Sequence, residues 1–386
     1  MKITRIEAVW LHVPIPPERQ HVSDFGRVDA FDTTLVRMET DAGLVGHGEA
    51  KAAVGSSGSS RALVELINGE LAEIVLGQDP RDPARLWELM YNGSRAHYAT
   101  NHARTFPVLG RRGLTVSGMS GIDLAAWDIL GQALGVPVWR LLGGRVHETL
   151  PAYASGGWAG PDGIGEELGR YVERGFDAVK MRIGIMDERV ERSVARVRAA
   201  REALGPRVDI MVDAHGTMSV PEARRFCRGV ESCDLAWFEE PVSADEMRGM
   251  SEIRAATDIP IAAGESLLTR FDFRDLIEAR GVDVLQPDLA ICGGLTEAKR
   301  IAALADAHQL RLAPHLWGGA IMFAAGLHLC IASPSAWIVE YSLGANPMLH
   351  DLAEESFQVV AGRIAAPGEP GLGITINDDF VREYRR

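Results

Sequence analysis

The sequence predicts an α/β fold, in which a closed (β/α)8-type barrel follows a smaller N-terminal α+β unit. The chain has 386 residues, enough for two domains at about 150 residues each. From about residue 150 onward, eight short apolar runs alternate with amphipathic helical segments, and repeated βα units in that number predict a closed parallel barrel. Before this point, strand patterns precede helical patterns, which is typical of an α+β unit. A doubly wound open sheet is the alternative for the second part.

The N-terminal part begins with two stretches rich in β-branched and apolar residues, at 3–15 and 33–50. Asp41-Ala42-Gly43 predicts a hairpin turn inside the second stretch. Amphipathic patterns then predict helices at 61–76, 83–91 and about 117–142. Near the C-terminal end of the chain, residues 370–377 predict a last strand that returns to this first part.

The barrel strands are predicted from short apolar runs, which amphipathic segments such as 187–204 and 295–309 separate. The eight candidate strands are 150–155, 178–184, 208–216, 235–241, 260–266, 282–290, 311–317 and 337–343. Because parallel barrel strands all end at the same face, the residues at their C-terminal ends are expected to meet there.

The acidic composition argues against two classes of partner. With 40 basic and 53 acidic residues the net charge is −13, whereas nucleic-acid-binding proteins carry a basic field, and an anionic membrane surface is disfavoured for the same reason. The first residues contain no apolar run like a signal-peptide core, and the most apolar stretch, 318–332, is too short to span a bilayer. The four cysteines form no CxxC pair, which argues against a disulfide framework. We therefore expect a cytoplasmic protein without nucleic-acid or membrane partners.

Carboxylates stand at the ends of three successive candidate strands, where a buried strand should be apolar. They are Asp213, Glu239 and Glu265, and one βα unit separates each from the next. Neighbouring strands bring them together, and three buried like charges stay ionised only around a cation. Hard oxygen ligands, few in number, favour Mg²⁺ over Ca²⁺ or Zn²⁺. The alternative is that each acid caps a helix or lies in a solvated loop.

Basic side chains occupy the neighbouring strand ends. Lys180 and Arg182 are two residues apart and therefore point to one face of the second barrel strand. His215 is likewise two residues after Asp213, which places it beside the predicted metal. The alternatives are ordinary salt bridges for Lys51, Lys180 and Arg182, and a structural role for His215.

The last three barrel strands end in acid–base groups. Asp288 ends the sixth strand and His315 the seventh, and adjacent strands hold such a pair in contact, which orients the imidazole and raises its basicity. Glu340, on the eighth strand, is a candidate hydrogen-bonding group for a substrate oxygen.

Two motifs that would indicate a nucleotide or phosphate site are incomplete or unsupported. GHGEAK (46–51) has Lys51 in place of the third glycine of a dinucleotide fingerprint. Gly318-Gly319, after the seventh strand, is the kind of turn that cradles a phosphate in other barrels, but nothing else in the sequence supports a phosphate site.

Six ordered motifs give the chain a resemblance to a known family. VKMRIG, VDAHG, WFEEP, AAGES, LQPDLAICGG and APHLW resemble the enolase superfamily, and its mandelate racemase subgroup in particular. The resemblance covers essentially the whole chain. It implies a modified (β/α)8 (TIM) barrel at 126–352 and an N-terminal α+β capping domain at 1–125 that is completed by 353–386. It also implies a homo-oligomer.

The resemblance assigns roles to the strand-end residues. It implies that the three carboxylates bind Mg²⁺ and that the Asp288–His315 pair removes the proton next to a substrate carboxylate. Lys180 and Glu340 would stabilise the resulting enediolate. Such a weak carbon acid loses its proton only if positive charge is already in place where the dianion forms.

Two departures from the racemase pattern refine the expected reaction. Arg182 stands where racemases of the subgroup usually have a second lysine, and a guanidinium is a poor base. His215 gives an Asp-x-His-Gly arrangement similar to galactonate and mannonate dehydratases, in which that histidine protonates the departing hydroxyl. We therefore predict an acid-sugar dehydratase with His315 as base, His215 as acid and a 2-keto-3-deoxy sugar acid as product. The alternatives are a sugar-lactone or anhydro-sugar-acid cycloisomerase, a racemase or epimerase, and a sugar-acid-binding protein without catalysis.

The substrate pocket is predicted to involve the loops at about 16–30 and 49–60. Their polar composition favours a polyhydroxylated carboxylate over an aromatic one. The candidate contacts are His21, Phe25, Arg27, Lys51 and Trp317. For Trp317, packing without substrate contact is the alternative.

Overall fold

The chain folds into an antiparallel cap and a closed parallel barrel, which confirms the predicted fold class. The computed structural model describes residues 1–24, 26–53, 60–95, 110–344 and 346–386. The predicted domain boundaries, at 125/126 and 352/353, stay predictions.

The cap sheet is built on the two predicted strand stretches. Within the described residues, the cap strands are β1 (Ile3–Pro14), β2 (His21–Ser23), β3 (Gly26–Val28), β4 (Ala30–Thr40) and β5 (Val45–Ala50). β1, β4 and β5 form an antiparallel meander in that order, and β2 and β3 pair as a small hairpin. The chain reverses between β4 and β5 at the predicted Asp41–Gly43 turn.

The cap helices pack against this sheet. They are α1 (Arg61–Leu66), α2 (Ala72–Val75), α3 (Pro83–Asn92), α4 (Leu114–Leu134) and α5 (Val138–Leu141), with a π-helical segment at Ile67–Leu71 between the first two. α4 lies directly on β5, since a Cβ at Gly48 would collide with the carbonyl of Gly121. The helical pattern predicted at about 117–142 forms two helices, α4 and α5, because Gly135 adopts a left-handed φ of 68° and ends α4 before Pro137.

Eight parallel strands form the barrel, and each overlaps a predicted strand. They are β6 (Leu150–Gly156), β7 (Ala178–Arg182), β8 (Asp209–Asp213), β9 (Leu235–Glu239), β10 (Ile261–Ala263), β11 (Val284–Leu285), β12 (Arg311–Leu312) and β13 (Val339–Ser342). Sheet pairing runs in chain order from β12 back to β6 and then to β13. Leu312 closes the ring, because its N–H donates to Ser335 O at 2.8 Å and its carbonyl accepts from Trp337 N at 2.9 Å.

Helices connect successive barrel strands on the outside. The connecting helices are α6 (Ile164–Glu173), α7 (Val190–Leu204), α8 (Val220–Val230), α9 (Met247–Arg254), α10 (Thr269–Glu278), α11 (Gly294–Ala307) and α12 (Ala320–Ala332). The short α13 (Pro347–His350) follows β13.

The tail differs from its prediction. Residues 370–377 form no strand. They make isolated bridges from Gly371 to Pro137 and from Ile376 to Ala353, because Gly371 and Gly373 take positive φ angles that interrupt an extended chain. β14 (Arg363–Ile364) pairs with β6, and α14 (Asp378–Tyr384) leads to Arg385, which bridges Leu11 of β1. The tail therefore reaches the cap through its last residues.

The interior of the barrel is filled by one apolar layer, to which each strand or its flanking residue contributes. This buried cluster comprises Tyr153, Ala178, Met211, Trp237, Ala262, Val284, Ala313 and Ile338. Since the layer plugs the barrel, the strand-end charges lie together above it, at the face where barrel enzymes place their sites. The four cysteines are free and buried, as expected. Among the described helices, none combines the length and apolarity needed to cross a membrane.

Candidate active site

The C-terminal ends of the barrel strands carry a buried set of charged side chains. All are at most 5% exposed: Lys180, Arg182, Asp213, Glu239, Glu265, Asp288, His315 and Glu340. The structure thus brings the predicted metal and catalytic residues to one face. Buried charges are stable only when paired or bound to a cation, so their partners define what the site does.

Lys180 lies at the centre of three carboxylates. Its Nζ donates to Glu239 Oε1 at 2.7 Å and lies 3.1 Å from Glu340 Oε1 and 3.7 Å from Asp213 Oδ2. Burial raises the pKa of Glu239 and of Glu340, but the charges of Lys180 and Arg182, with further contacts, together outweigh burial and hold both pKa values below their ordinary range. Both glutamates are therefore ionised, and Lys180 makes the largest contribution to this lowering.

Three ligand atoms converge in a pattern that fits a metal ion. One atom each from Asp213, His215 and Glu265 lies within 4.8 Å of the others. Asp213 Oδ2 already pairs with Arg182 and lies 3.1 Å from His215 Nε2. Buried carboxylates as close as those of Asp213 and Glu265 repel each other, and a divalent cation between them would offset that repulsion.

Glu239 lies beside this cluster. Its Oε1 accepts from Lys180 and its Oε2 from Trp237 Nε1 at 2.9 Å. Because Lys180 Nζ contacts Asp213 as well, Glu239 is adjacent to the cluster although its oxygens are engaged. His215 stands in the third position, and Glu239 as a metal ligand stays a prediction.

The charges at the barrel face do not balance. Five buried carboxylates share the face with three side-chain cations. The acids are Asp213, Glu239, Glu265, Asp288 and Glu340, and the cations are Lys51, Lys180 and Arg182. Burial and the charge of Glu265 raise the pKa of a further acid, Glu240, well above its ordinary value. Asp24, in contact with His215, is another buried carboxylate beside this face. The buried acids described here therefore outnumber the side-chain cations, and a divalent cation would offset part of that excess.

Asp288 and His315 form the predicted pair. Their backbones bridge in parallel, and His315 Nδ1 lies 2.7 Å from Asp288 Oδ2. The other ring nitrogen, Nε2, faces Glu265 Oε2 at 3.6 Å. The carboxylate therefore orients the imidazole with Nε2 toward the site, which is the arrangement of a general base.

Lys51 completes this pair from the cap. Its Nζ lies 2.5 Å from Asp288 Oδ2 and donates to Trp317 O at 2.9 Å. Burial raises the pKa of Asp288, but the charges of Lys51 and His315 outweigh burial and hold that pKa below its ordinary value. Lys51 is thus a salt-bridge partner of the predicted dyad, which was one of the two interpretations of this residue.

A second carboxylate–imidazole pair lies at His215. His215 Nε2 is 3.1 Å from Asp213 Oδ2, and Nδ1 is 2.5 Å from Oδ2 of Asp24. His215 adopts a left-handed φ of 44°, and its N–H donates to Asp213 Oδ1 at 2.8 Å. Asp24 was missed by the sequence analysis, which singled out only the whole loop 16–30.

A cavity of about 170 Å³ lies between cap and barrel, lined by residues of both. His215 and His315 both line it, as do Arg182, Lys51 and Trp317. The guanidinium of Arg182 pairs with Asp213 and lies 5.7 Å from the ring centre of Trp317. The barrel strands therefore present both imidazoles to a single small-molecule site.

The structure describes only some of the cap residues that were predicted to contact a substrate. Arg27 lines the cavity and its Nη1 donates to Gln20 Oε1 at 3.3 Å. His21 belongs to β2, but its side chain and the whole of Phe25 lie outside the described part of the chain. Their roles as substrate contacts stay predictions.

The turn at Gly318-Gly319 is occupied by a side chain of the cap. Glu49 Oε1 accepts from Gly319 N at 2.8 Å and Oε2 accepts from Met322 N at 3.1 Å, at the start of α12. A carboxylate thus occupies the helix N-terminus where other barrels bind an anion. This position does not support a phosphate site.

Two protein-family models match the chain. Residues 5–143 match the model of the mandelate racemase / muconate lactonizing enzyme N-terminal domain, and residues 163–380 match the enolase C-terminal domain-like model. The chain belongs to the enolase superfamily.

Similar proteins and similar solved structures match this superfamily member over nearly its full length. A D-galactarolactone cycloisomerase of Agrobacterium fabrum is 35% identical over 100% of the chain and 99% of its own length. A D-galactonate dehydratase of Variovorax paradoxus is 35% identical over 90% of the chain and 89% of its own length. The crystal structure of an enolase superfamily member from Polaromonas sp. JS666 superposes with a TM-score of 0.89 at 32% identity, covering 100% of this chain and 98% of that one.

The contact between Lys51 and Asp288 predicts a stability effect in this enolase superfamily chain. We expect Lys51→Met to lower the free energy of unfolding at pH 7 by about 3 kcal/mol, because it leaves a buried carboxylate without its cation. Since the folded-state pKa of Asp288 is depressed, this stabilisation is complete above the ordinary value of 3.8 and is lost as the pH falls through the folded-state value. Urea unfolding over this pH range measures it. Lys51→Arg, which retains the charge, is the control, and equal stability of wild type and Lys51→Met at pH 7 contradicts the assignment.

Proposed function

We propose that the chain is a Mg²⁺-dependent acid-sugar dehydratase. The observation that carries the proposal is the pair of imidazoles, His315 and His215, which line one cavity, both lie near Glu265, and each contact a carboxylate. A base and a separate acid are what β-elimination of water requires. Arg182, in place of a second lysine, provides no second base, which argues against two-base racemisation.

The metal site of this proposal uses the strand-end carboxylates. Asp213 and Glu265 supply buried carboxylate oxygens that lie within 4.8 Å of each other, and Glu239 is the proposed third ligand. Oxygen ligands and an excess of buried acids over side-chain cations fit Mg²⁺. When bound, the ion supplies positive charge to the substrate carboxylate and so makes its α-proton more acidic.

The chain's own residues carry the proposed steps. His315 Nε2 takes the α-proton, while Asp288 holds the ring and accommodates the positive charge that forms. Lys180 and Arg182 stabilise the negative charge that develops on the substrate carboxylate, and Glu340, as a carboxylate, accepts a hydrogen bond from a substrate hydroxyl.

His215 completes the elimination. It donates a proton to the 3-hydroxyl as the C–O bond breaks, so that water leaves. The remaining enol tautomerises to a 2-keto-3-deoxy sugar acid. Overall, one sugar acid yields one keto acid and one water, and no oxidant or reductant is needed.

The proposal is tested by incubating the protein and Mg²⁺ with a panel of aldonic and aldaric acids. A semicarbazide assay detects 2-keto acid products, and exchange of the α-hydrogen in D₂O is followed in parallel. Keto acid formation supports dehydration. Exchange without keto acid indicates an epimerase instead, and thermal stabilisation by an acid with neither signal indicates a binding protein.

His215→Asn separates the two proposed steps. We expect it to lower the rate of dehydration by about 10²- to 10⁴-fold, the usual contribution of a general acid. Exchange of the α-hydrogen should continue, because the base is intact. Product formation and exchange are measured on the same acid by NMR. An equal loss of both would contradict the assignment of His215 as the acid.

A cycloisomerase is the second candidate, because the D-galactarolactone cycloisomerase relative matches the whole length of the chain. The same base would remove the α-proton, and the leaving oxygen would be that of a lactone or anhydro ring. The product of this isomerisation has the mass of the substrate, whereas dehydration lowers it by one water. Mass spectrometry after incubation with sugar lactones therefore distinguishes the two.

A further inference from the structure

We propose that Asp24, in the β2–β3 hairpin of the cap, is a positioning residue that orients the acid His215. This inference rests on the proposed function. It adds a cap residue to a set of catalytic groups that otherwise all come from barrel strands.

The contact is short and shielded from solvent. Asp24 Oδ2 lies 2.5 Å from His215 Nδ1, across 191 residues of sequence. The two side chains are only 4% and 8% exposed. An exposed ion pair contributes little to geometry because both side chains remain mobile, whereas a buried carboxylate that accepts from an imidazole N–H fixes the ring and its tautomer.

The backbone of His215 supports the same conclusion. Its left-handed φ of 44° is unusual for a residue other than glycine, and strain of this kind persists where surrounding contacts hold it. The turn directs the ring between Asp24 in the cap and Asp213 on the barrel. With Nδ1 held by Asp24, Nε2 faces the metal cluster and the cavity.

The arrangement parallels the pair that orients the base. His315 Nδ1 is held by Asp288, and its Nε2 faces Glu265. In both pairs the carboxylate contacts Nδ1, and the other ring nitrogen faces the same group of acids. The difference is that the carboxylate for the base is part of the barrel, whereas the carboxylate for the acid comes from the cap.

The kinetic test compares two reactions of one active site. We expect Asp24→Ala to lower kcat for dehydration by roughly 10- to 100-fold, the usual loss when the carboxylate behind a functional histidine is removed. Exchange of the α-hydrogen should stay within about threefold of wild type, because His315 is untouched. Asp24→Asn should lose less, since its amide oxygen still accepts the same hydrogen bond. Asp41→Asn, a charge change at an exposed position in the β4–β5 turn of the cap, is the control and should match wild type.

A second measurement does not depend on turnover. In the Mg²⁺-loaded full-length protein, ¹H–¹⁵N NMR should show a strongly downfield Nδ1 proton that disappears in Asp24→Ala and in His215→Asn but remains in His315→Asn. Persistence of this proton in Asp24→Ala overturns the proposal. So does a loss of exchange equal to the loss of dehydration, or a kcat for dehydration that Asp24→Ala leaves unchanged. Absence of keto acid from every acid tried with wild-type protein counts against the proposed function instead, and the NMR result then decides the role of Asp24.

Discussion

His315→Asn is expected to reduce turnover by about 10³-fold or more and to abolish exchange of the α-hydrogen in D₂O. His315 is the proposed base, and Asp288 at 2.7 Å orients it toward the cavity. An asparagine side chain has a similar shape but accepts no proton, so both elimination and exchange lose their first step. Steady-state assays of keto acid and NMR assays of exchange measure the two effects.

A control variant and a binding measurement show whether the loss of activity is specific to the base. His308 lies exposed at the end of α11, so His308→Asn should retain wild-type activity and controls for loss of a histidine elsewhere. Mg²⁺ binding, measured by titration calorimetry, should be retained in His315→Asn, because the base is not a proposed ligand. Activity near the wild-type level in His315→Asn removes this residue as the base.

The positions of the proposed catalytic groups were predictable because a parallel barrel constrains them. All eight strands end at one face, so residues at the ends of successive strands must meet there. That rule alone placed Asp288 against His315 and brought Lys180 to Asp213. No comparable rule applies to the cap, whose loops are tied to the barrel only by tertiary contacts.

Asp24 shows why the remainder could not be predicted. Its partner is 191 residues away and the contact joins two separately patterned parts of the chain, so neither periodicity nor spacing points to it. Lys51 is similar, since the sequence places it near the site but does not reveal that its ammonium contacts Asp288. The strand predicted at 370–377 does not form, and the cause is local. Apolar residues alternate there as in a strand, but two glycines with positive φ interrupt the extended backbone.

The identity of the third metal ligand differs between the sequence and the structure. The spacing predicts Glu239, whereas the structure brings His215 into the cluster. Hard cations such as Mg²⁺ prefer oxygen ligands, which Glu239 offers and His215 does not. Lys180 Nζ lies between Glu239 and Asp213, which shows that both carboxylates border the same small space. These arguments favour Glu239 as the ligand and leave His215 free for proton transfer.

Removal of the metal is therefore expected to abolish turnover, and the ligand variants should identify what holds it. EDTA should eliminate keto acid formation and added Mg²⁺ should restore it, because without the ion the developing negative charge is not compensated. In titrations with Mg²⁺ alone, Asp213→Asn and Glu239→Gln should each weaken binding by about 100-fold or more, since loss of a ligand costs at least as much as loss of a group behind one. His215→Asn should change the affinity only a few-fold. The opposite pattern, with His215→Asn as damaging as Asp213→Asn and Glu239→Gln without effect, would make His215 a ligand and leave the elimination without its acid.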